Sequence, residues 1–403
     1  MDPVLRAAYN AAYSDAVYAR FRGLLERRLG CTVPFALAET PLFLPAALRD
    51  RLAKSASEIV KQISSPALTE RLRPAIPKHL DVPGLAGWPA CTQVDFAIVR
   101  GPDGELDGRV VELQAFPSLY ALMVVQADTF AEVMRDLPGL DKSWSIYFSG
   151  HDRESFISAF RRTLLAGEDP ESVVLLDLAP EAQKTYPDFV ATKQQVAIDS
   201  MCPTELVREG RRLFRRKEGK LVELRRIYNR VVFDELESKR VALPFSYTDE
   251  LDVTWVPHPN WYWLWSKYTL PHVDHPAVPR ARYLSDVTEL PADLADRYVL
   301  KPLFSFAGSG VKVDPTPEDI AAIPPAERHG WLLQEKVTYE PALKMPDGNG
   351  VKAEVRMMFL RPPEDAEPHL VLNLVRLSRG KMLGVDQNRG LTWVGGSVGM
   401  WPV

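Results

Sequence analysis

Three oxygen-bearing side chains, Asp95, Glu112 and Gln114, sit on what reads as one short hairpin. Val94–Val99 and Arg109–Leu113 are rich in strand formers and alternate in polarity, and Gly101-Pro102-Asp103-Gly104 and Asp107-Gly108 supply turn residues between them. Pairing Val99 near Gly108 puts Asp95 opposite Glu112. Glu112 and Gln114 are two residues apart on one strand, so they share a face. Mg²⁺ takes one or two carboxylates and fills its shell with phosphate and water oxygens, which suits this set. The plainer alternative is a solvated hairpin whose polar face carries these residues by chance.

Far downstream, Val299-Leu300-Lys301-Pro302 reads as a strand that stops at the proline. Ser305, Gly308, Ser309 and Gly310 then make a loop, and Val311–Val313 resumes an extended run. Glycines let backbone N–H groups approach an anion, and serines add hydroxyl donors. No GKS or GKT follows and no helical pattern begins, so this is not the helix-opening phosphate loop. Taken alone it could be an ordinary turn. Together, a carboxylate hairpin and a Lys-plus-glycine loop are what ATP chemistry needs.

The order of these motifs resembles the circularly permuted ATP-grasp enzymes, a group that includes glutathionylspermidine synthase and related amide ligases. In that group the acidic strand pair comes first, as Asp95 and Glu112-x-Gln114 do here. Ser266-Lys267, closely followed by Leu270-Pro271, resembles the first nucleotide lysine. Lys301-Pro302 and its loop resemble the second lysine and the phosphate-covering loop. Gln334-Glu335-Lys336 resembles the hinge that reads adenine, and Arg356, Arg376 and Asn388 resemble the closing strands that contact phosphate and acyl oxygens. One departure stands out: Gln114 occupies the place of the usual Asn, and its extra methylene shifts the amide oxygen.

The resemblance implies an α/β (α+β) chain with a circularly permuted ATP-grasp fold, a small Rossmann-like α/β substrate domain and a helical N-terminal layer. It implies a carboxylate–amine (or thiol) ligase acting through an acyl phosphate and yielding ADP and phosphate. ATP and one or two Mg²⁺ ions would be its cofactors. Asp95, Glu112 and Gln114 would be metal ligands, and Lys267, Lys301, Ser305, Gly308, Ser309, Gly310, Gln334, Glu335, Lys336 and Asn388 would bind nucleotide. Arg356 and Arg376 would be catalytic. Small-molecule or peptide carboxylates and amines are the expected partners, and a homodimer is allowed. An ATP-dependent phosphotransferase and a non-catalytic nucleotide-binding subunit are the rival readings.

Arg226 and Arg230, in RRIYNR, are candidates for clamping a substrate carboxylate through the planar guanidinium fork; the alternative is a structural Arg–carboxylate pair. The basic stretch 211–220 reads as a solvated hairpin or helix end. Trp255, Trp261, Tyr262, Trp263 and Trp265 lead straight into Lys267. They could wall a pocket, but packing at a domain junction is the favoured reading. His258, His272 and His275 lack zinc spacing and read as loop histidines. Cys31, Cys91 and Cys202 have no partnered spacing and read as incidental thiols in a reducing cytoplasm.

Positioning these residues requires several layers. Residues 4–28 have helical spacing ending at Gly30, and 45–63 read as a second helix. A helix is expected over 120–137. Strands at 172–176, 195–199 and 221–228, with helices at 181–196 and 231–238, suggest a small parallel sheet. Residues 354–360 and 370–377 read as strands around an exposed loop. The division expected is 1–92 helical, 93–150 metal-binding, 165–250 α/β, and 255–403 nucleotide lobes. The chain of 403 residues has room for two or three domains. Its net charge of -4 argues against a general nucleic-acid role, and no apolar run approaches the roughly 20 residues of a membrane span.

Overall fold

The computed structural model describes residues 1–85, 87–304, 310–380 and 388–403, so the loop residues Ser305, Gly308 and Ser309 lie outside the described residues. Among those described, the main sheet is antiparallel, in the order Gly395–Ser397, His369–Ser378, Gly350–Leu360, Cys91–Arg100, Leu106–Gln114. The short strand Leu343–Lys344 pairs with Gly350–Leu360. Strands from 91–114 and from 350–378 thus build one sheet. Cys91–Arg100 is buried at every residue but its last. That burial reflects cover on both faces, and it explains why the strand's polar residues must find partners inside the protein.

Helix Ala46–Ile63 packs on this sheet through Leu48, Leu52, Ala56 and Ile59. The approach is close: a Cβ on Gly108 would meet Leu52 Cδ2 at 2.3 Å, so only glycine fits there. Helix Tyr120–Met134 is anchored by the Tyr120 hydroxyl, which donates to Phe359 O at 2.8 Å. A second sheet is wholly parallel, in the order Thr254–Val256, Arg226–Asn229, Val173–Leu176, Asp199–Met201. A third, antiparallel sheet orders Ala281–Tyr283, Trp331–Glu335, Tyr298–Pro302. It has its own small core of Leu284, Leu294, Leu300, Ile320, Ile323 and Leu333.

Several boundaries differ from the expectation for local reasons. The first helix is two, Pro3–Ala12 and Asp15–Leu29, because Ser14 caps a new start by accepting from Val17 N at 3.3 Å. Gly30 closes the second with φ 74, as a C-cap glycine does. The strand expected over 221–228 is split between sheets: Lys220–Glu223 forms a hairpin with Arg212–Lys217, and Arg226–Asn229 joins the parallel sheet. The bend between them is held by Leu224 N on Leu213 O and Arg225 N on Ser172 O, both 2.8 Å. The helix expected over 181–196 starts only at Tyr186, with Pro187 in its first turn. The strand expected over 195–199 begins at Asp199, because Ala197 caps that helix in the left-handed region. The resumed strand at 311–313 is reduced to one bridge, Lys312 with Leu300. No helix among the described residues is long and apolar enough to cross a membrane.

Candidate functional site

Strand register gathers the polar residues. Asp95 lies opposite Glu112 on one side and Arg356 on the other, and Glu354 lies between Ala97 and Arg376. Asp95, Glu112, Glu354, Arg356 and Arg376 therefore share one face of the sheet. Asp95 is fully buried and accepts two bonds from Arg356, Nε to Oδ1 and Nη2 to Oδ2, both 2.6 Å. Arg376 Nη2 adds a bond to Oδ2 at 2.5 Å and also contacts Glu354. Burial pushes the Asp95 carboxyl up, but Arg356 and Arg376 outweigh it and hold the group below the usual carboxylate range. In Glu354 burial prevails over Arg376 and holds the carboxyl above its usual range. Glu354 also accepts from the Tyr339 hydroxyl at 3.0 Å.

The register slips just after Asp95, so that Glu112 faces Asp95 while Val110 faces Phe96, and Val111 bulges. A bulge re-aims backbone groups next to a site. Here the Val111 carbonyl accepts from Lys301 Nζ at 3.2 Å, across 190 residues of sequence. Lys301 also donates to Gln334 Oε1 at 2.7 Å. Burial pushes the Lys301 ammonium down to about 8, with Lys267 adding to the shift and Glu112 opposing it.

The outer strand Leu106–Gln114 is an edge, and the segment 265–277 covers it: Ala115 N donates to Trp265 O at 3.2 Å and Val110 N to Ala277 O at 2.8 Å. This cover carries Lys267, whose Nζ lies 3.4 Å from Glu112 Oε1. Gln114 Nε2 donates to Glu112 Oε2 at 2.8 Å. Glu112, Gln114, Phe116, Trp265, Lys267 and Phe304 line an open cleft. The described residues thus bring Glu112, Gln114, Lys267, Lys301 and Gln334 together. They can hold an anion between two lysines beside one open carboxylate.

Other expected residues have different surroundings. Glu335 and Lys336 use their backbone N–H groups inside the chain, on Arg280 O at 2.8 Å and Arg297 O at 2.7 Å. The Glu335 carboxylate pairs with Arg297 at 2.9 Å, and Lys336 Nζ with Asp314 at 2.8 Å. Asn388 Oδ1 accepts from Ser378 Oγ, Arg379 N and Gly380 N, closing the end of the strand His369–Ser378. Gly310 turns with φ 73 against Pro302, where a Cβ would come within 2.9 Å of Cγ. Arg226 donates to Leu164 O at 2.9 Å and Thr163 O at 3.2 Å, at the end of helix Arg153–Leu165. Arg230 pairs with Asp188 at 3.0 Å, both buried, and Asp188 also accepts from Leu119 N and Leu122 N at the start of helix Tyr120–Met134. Arg230 thus sits in a buried pair with a carboxylate, while Arg226 bonds two backbone carbonyls.

Sequence reasoning missed Glu354 and the Val111 carbonyl. Glu354 was within reach, since it stands two residues before Arg356 on the same strand face. The bulge left no local signal.

A metal is tested by this donor set. Glu112 fits Mg²⁺: it is half-buried, it borders the cleft, and one carboxylate suffices where phosphate oxygens complete the shell. Gln114 stands beside it. Asp95 does not fit, because its two oxygens are taken by guanidinium groups.

No protein-family model matches this chain, and no curated protein sequence matches it. In structure it is similar to a glutathione synthetase-like effector from Globodera pallida, solved in the apo form, with a TM-score of 0.55 and 14% identity over 94% of this chain and 95% of that one. At that identity the likeness is one of fold: a mixed α/β chain of several sheets, of glutathione synthetase-like type.

Proposed function

We propose that the protein is an ATP-dependent ligase of ATP-grasp type, circularly permuted, that joins a carboxylate to an amine or thiol. The observation that carries this reading is the contact of Lys301 with the bulged Val111 carbonyl. It brings the strand of Lys301 onto the strand that bears Glu112, with Lys267 alongside.

In this reading Lys267 and Lys301 hold polyphosphate oxygens, and Glu112, with Gln114 beside it, holds Mg²⁺. The ion, when bound, neutralises charge on the phosphates. A substrate carboxylate oxygen attacks the γ-phosphorus, the bond to ADP breaks, and an acyl phosphate forms. An amine then attacks the acyl carbon, phosphate leaves, and the nitrogen loses its proton. Arg376 keeps 36% of its side chain exposed and is assigned to the developing oxyanion. Arg356, almost fully buried, is assigned to hold Asp95.

One observation favours the rival, non-catalytic nucleotide-binding reading: Asp95 is withdrawn into an arginine clamp. ATP turnover separates the two. Paired acids and amines should give ADP release that needs both partners, and hydroxylamine should trap an acyl hydroxamate. ATP binding without release for any pair would favour the non-catalytic module. Release with a stable phosphorylated product and no hydroxamate would favour a phosphotransferase.

A further inference from the structure

A second cavity, of about 200 Å³, lies between helix Ala46–Ile63, strand Gly350–Leu360 and the loop that follows that strand. None of its lining residues belongs to the candidate site. Val60 and Phe359, both buried, supply apolar surface, and Trp88 adds an indole ring. The Arg361 guanidinium lies 5.8 Å from the centroid of that ring, and Arg361 N donates to Ala90 O at 2.9 Å, two residues past Trp88. The ring is thereby fixed as a wall. A cavity of roughly 150 Å³ holds one benzene ring, so this one takes a ring and a short polar head.

The polar lining decides which head. Three charged side chains line the cavity: Glu58 and Lys61 from the helix, and Glu367 from the loop. Glu58 is engaged. His275 Nε2 meets its Oε2 at 3.1 Å, and His275 Nδ1 accepts from Ala277 N at 3.1 Å, which leaves the proton on Nε2 to donate. Among the described residues, Lys61 and Glu367 have no hydrogen-bond or ion-pair partner. They share a cavity without pairing with each other. One available cation and one available anion, set on two different elements around an apolar floor, complement a ligand that carries both charges on an apolar body.

We propose that this cavity binds a free amino acid with an aromatic side chain. Its carboxylate docks on Lys61, its ammonium docks on Glu367, and its ring packs on Phe359 and Val60 beside Trp88. Aromatic pairs gain from offset and edge-on contacts beyond their buried area, so Trp88 and Phe359 favour a ring over an alkyl chain. The site lies outside the nucleotide cleft and does not depend on the ligase reading.

L-Phenylalanine, 3-phenylpropionate and 2-phenylethylammonium share the ring and differ in charge. Calorimetry at pH 7 without ATP should show phenylalanine binding about fivefold more tightly than either single-charge analogue, the upper range for a half-exposed ion pair. Lys61→Met should reduce phenylalanine to the level of 2-phenylethylammonium and leave that amine unaffected. Glu367→Gln should reduce it to the level of 3-phenylpropionate and leave that acid unaffected. Both variants should melt like the wild type, since both side chains are exposed. Saturating ATP should not displace phenylalanine. No binding of phenylalanine, equal binding of the three ligands, a preference that survives both variants, or displacement by ATP overturns the proposal. Turnover of ATP, whether present or absent, tests the ligase reading alone.

Discussion

Arg356 grips Asp95 through two parallel bonds of 2.6 Å inside the main sheet, with Asp95 fully buried and Arg356 nearly so. A bidentate pair of this kind is directional, and each partner depends on the other for its solvation. Breaking a buried pair from one side leaves an uncompensated charge. Asp95→Asn should therefore cost about 3–5 kcal/mol of stability, read as a shift of the urea midpoint. A metal ligand at Asp95 would instead lose turnover and keep normal melting. A variant that melts like the wild type would refute the clamp.

The same pair has a pH signature. The folded Asp95 pKa is depressed, so its contribution is complete above the unfolded carboxylate range and is lost as pH falls through the folded value. Asp95→Asn should thus flatten the acid limb of a stability–pH curve, and should leave the alkaline limb alone.

Glu112 should behave oppositely to Asp95. It is 29% exposed and bonded to Lys267 and Gln114 at the cleft. Glu112→Gln is expected to abolish turnover and Mg²⁺-dependent ATP binding while melting within about 0.5 kcal/mol of the wild type. Full activity in this variant would remove Glu112 from the site.

Lys301 has a folded pKa lowered from 10.5 to about 8. Between those values the unfolded chain holds the extra proton, so stability should rise with pH through that window. A phosphate contact needs the charged form, so ATP affinity should fall as pH passes 8. Binding near pH 8.5 should take up a proton, seen as a buffer-dependent enthalpy. Lys301→Met should weaken ATP about tenfold or more, the loss of one charge-assisted contact, and Lys267→Met likewise. Unchanged affinity in both variants would take these lysines out of the nucleotide site.

Arg230→Met should destabilise the fold by about 3–5 kcal/mol, since it leaves Asp188 buried and unpaired. Arg226→Ala should cost about 1–3 kcal/mol, through its carbonyl partners at a helix end. A raised substrate KM in Arg226→Ala with unchanged stability would instead support the substrate-clamp reading.

What could be read directly was local. Alternation and turn residues placed Asp95 opposite Glu112 and put residues 354–360 and 370–377 into strands, because strand period and hairpin chemistry act over a few residues. For residues 211–220 the composition left hairpin and helix end open, and the structure forms the hairpin. Tertiary structure decided the rest, because it depends on what meets across the chain. It drew Arg356 and Arg376 onto Asp95, and turned a candidate metal ligand into the anchor of two guanidinium groups. It bulged Val111 toward Lys301 and laid the 265–277 segment over the edge strand, which brought Lys267 to Glu112. A buried charge takes whichever partner lies nearest in space, and no spacing along the sequence records that choice.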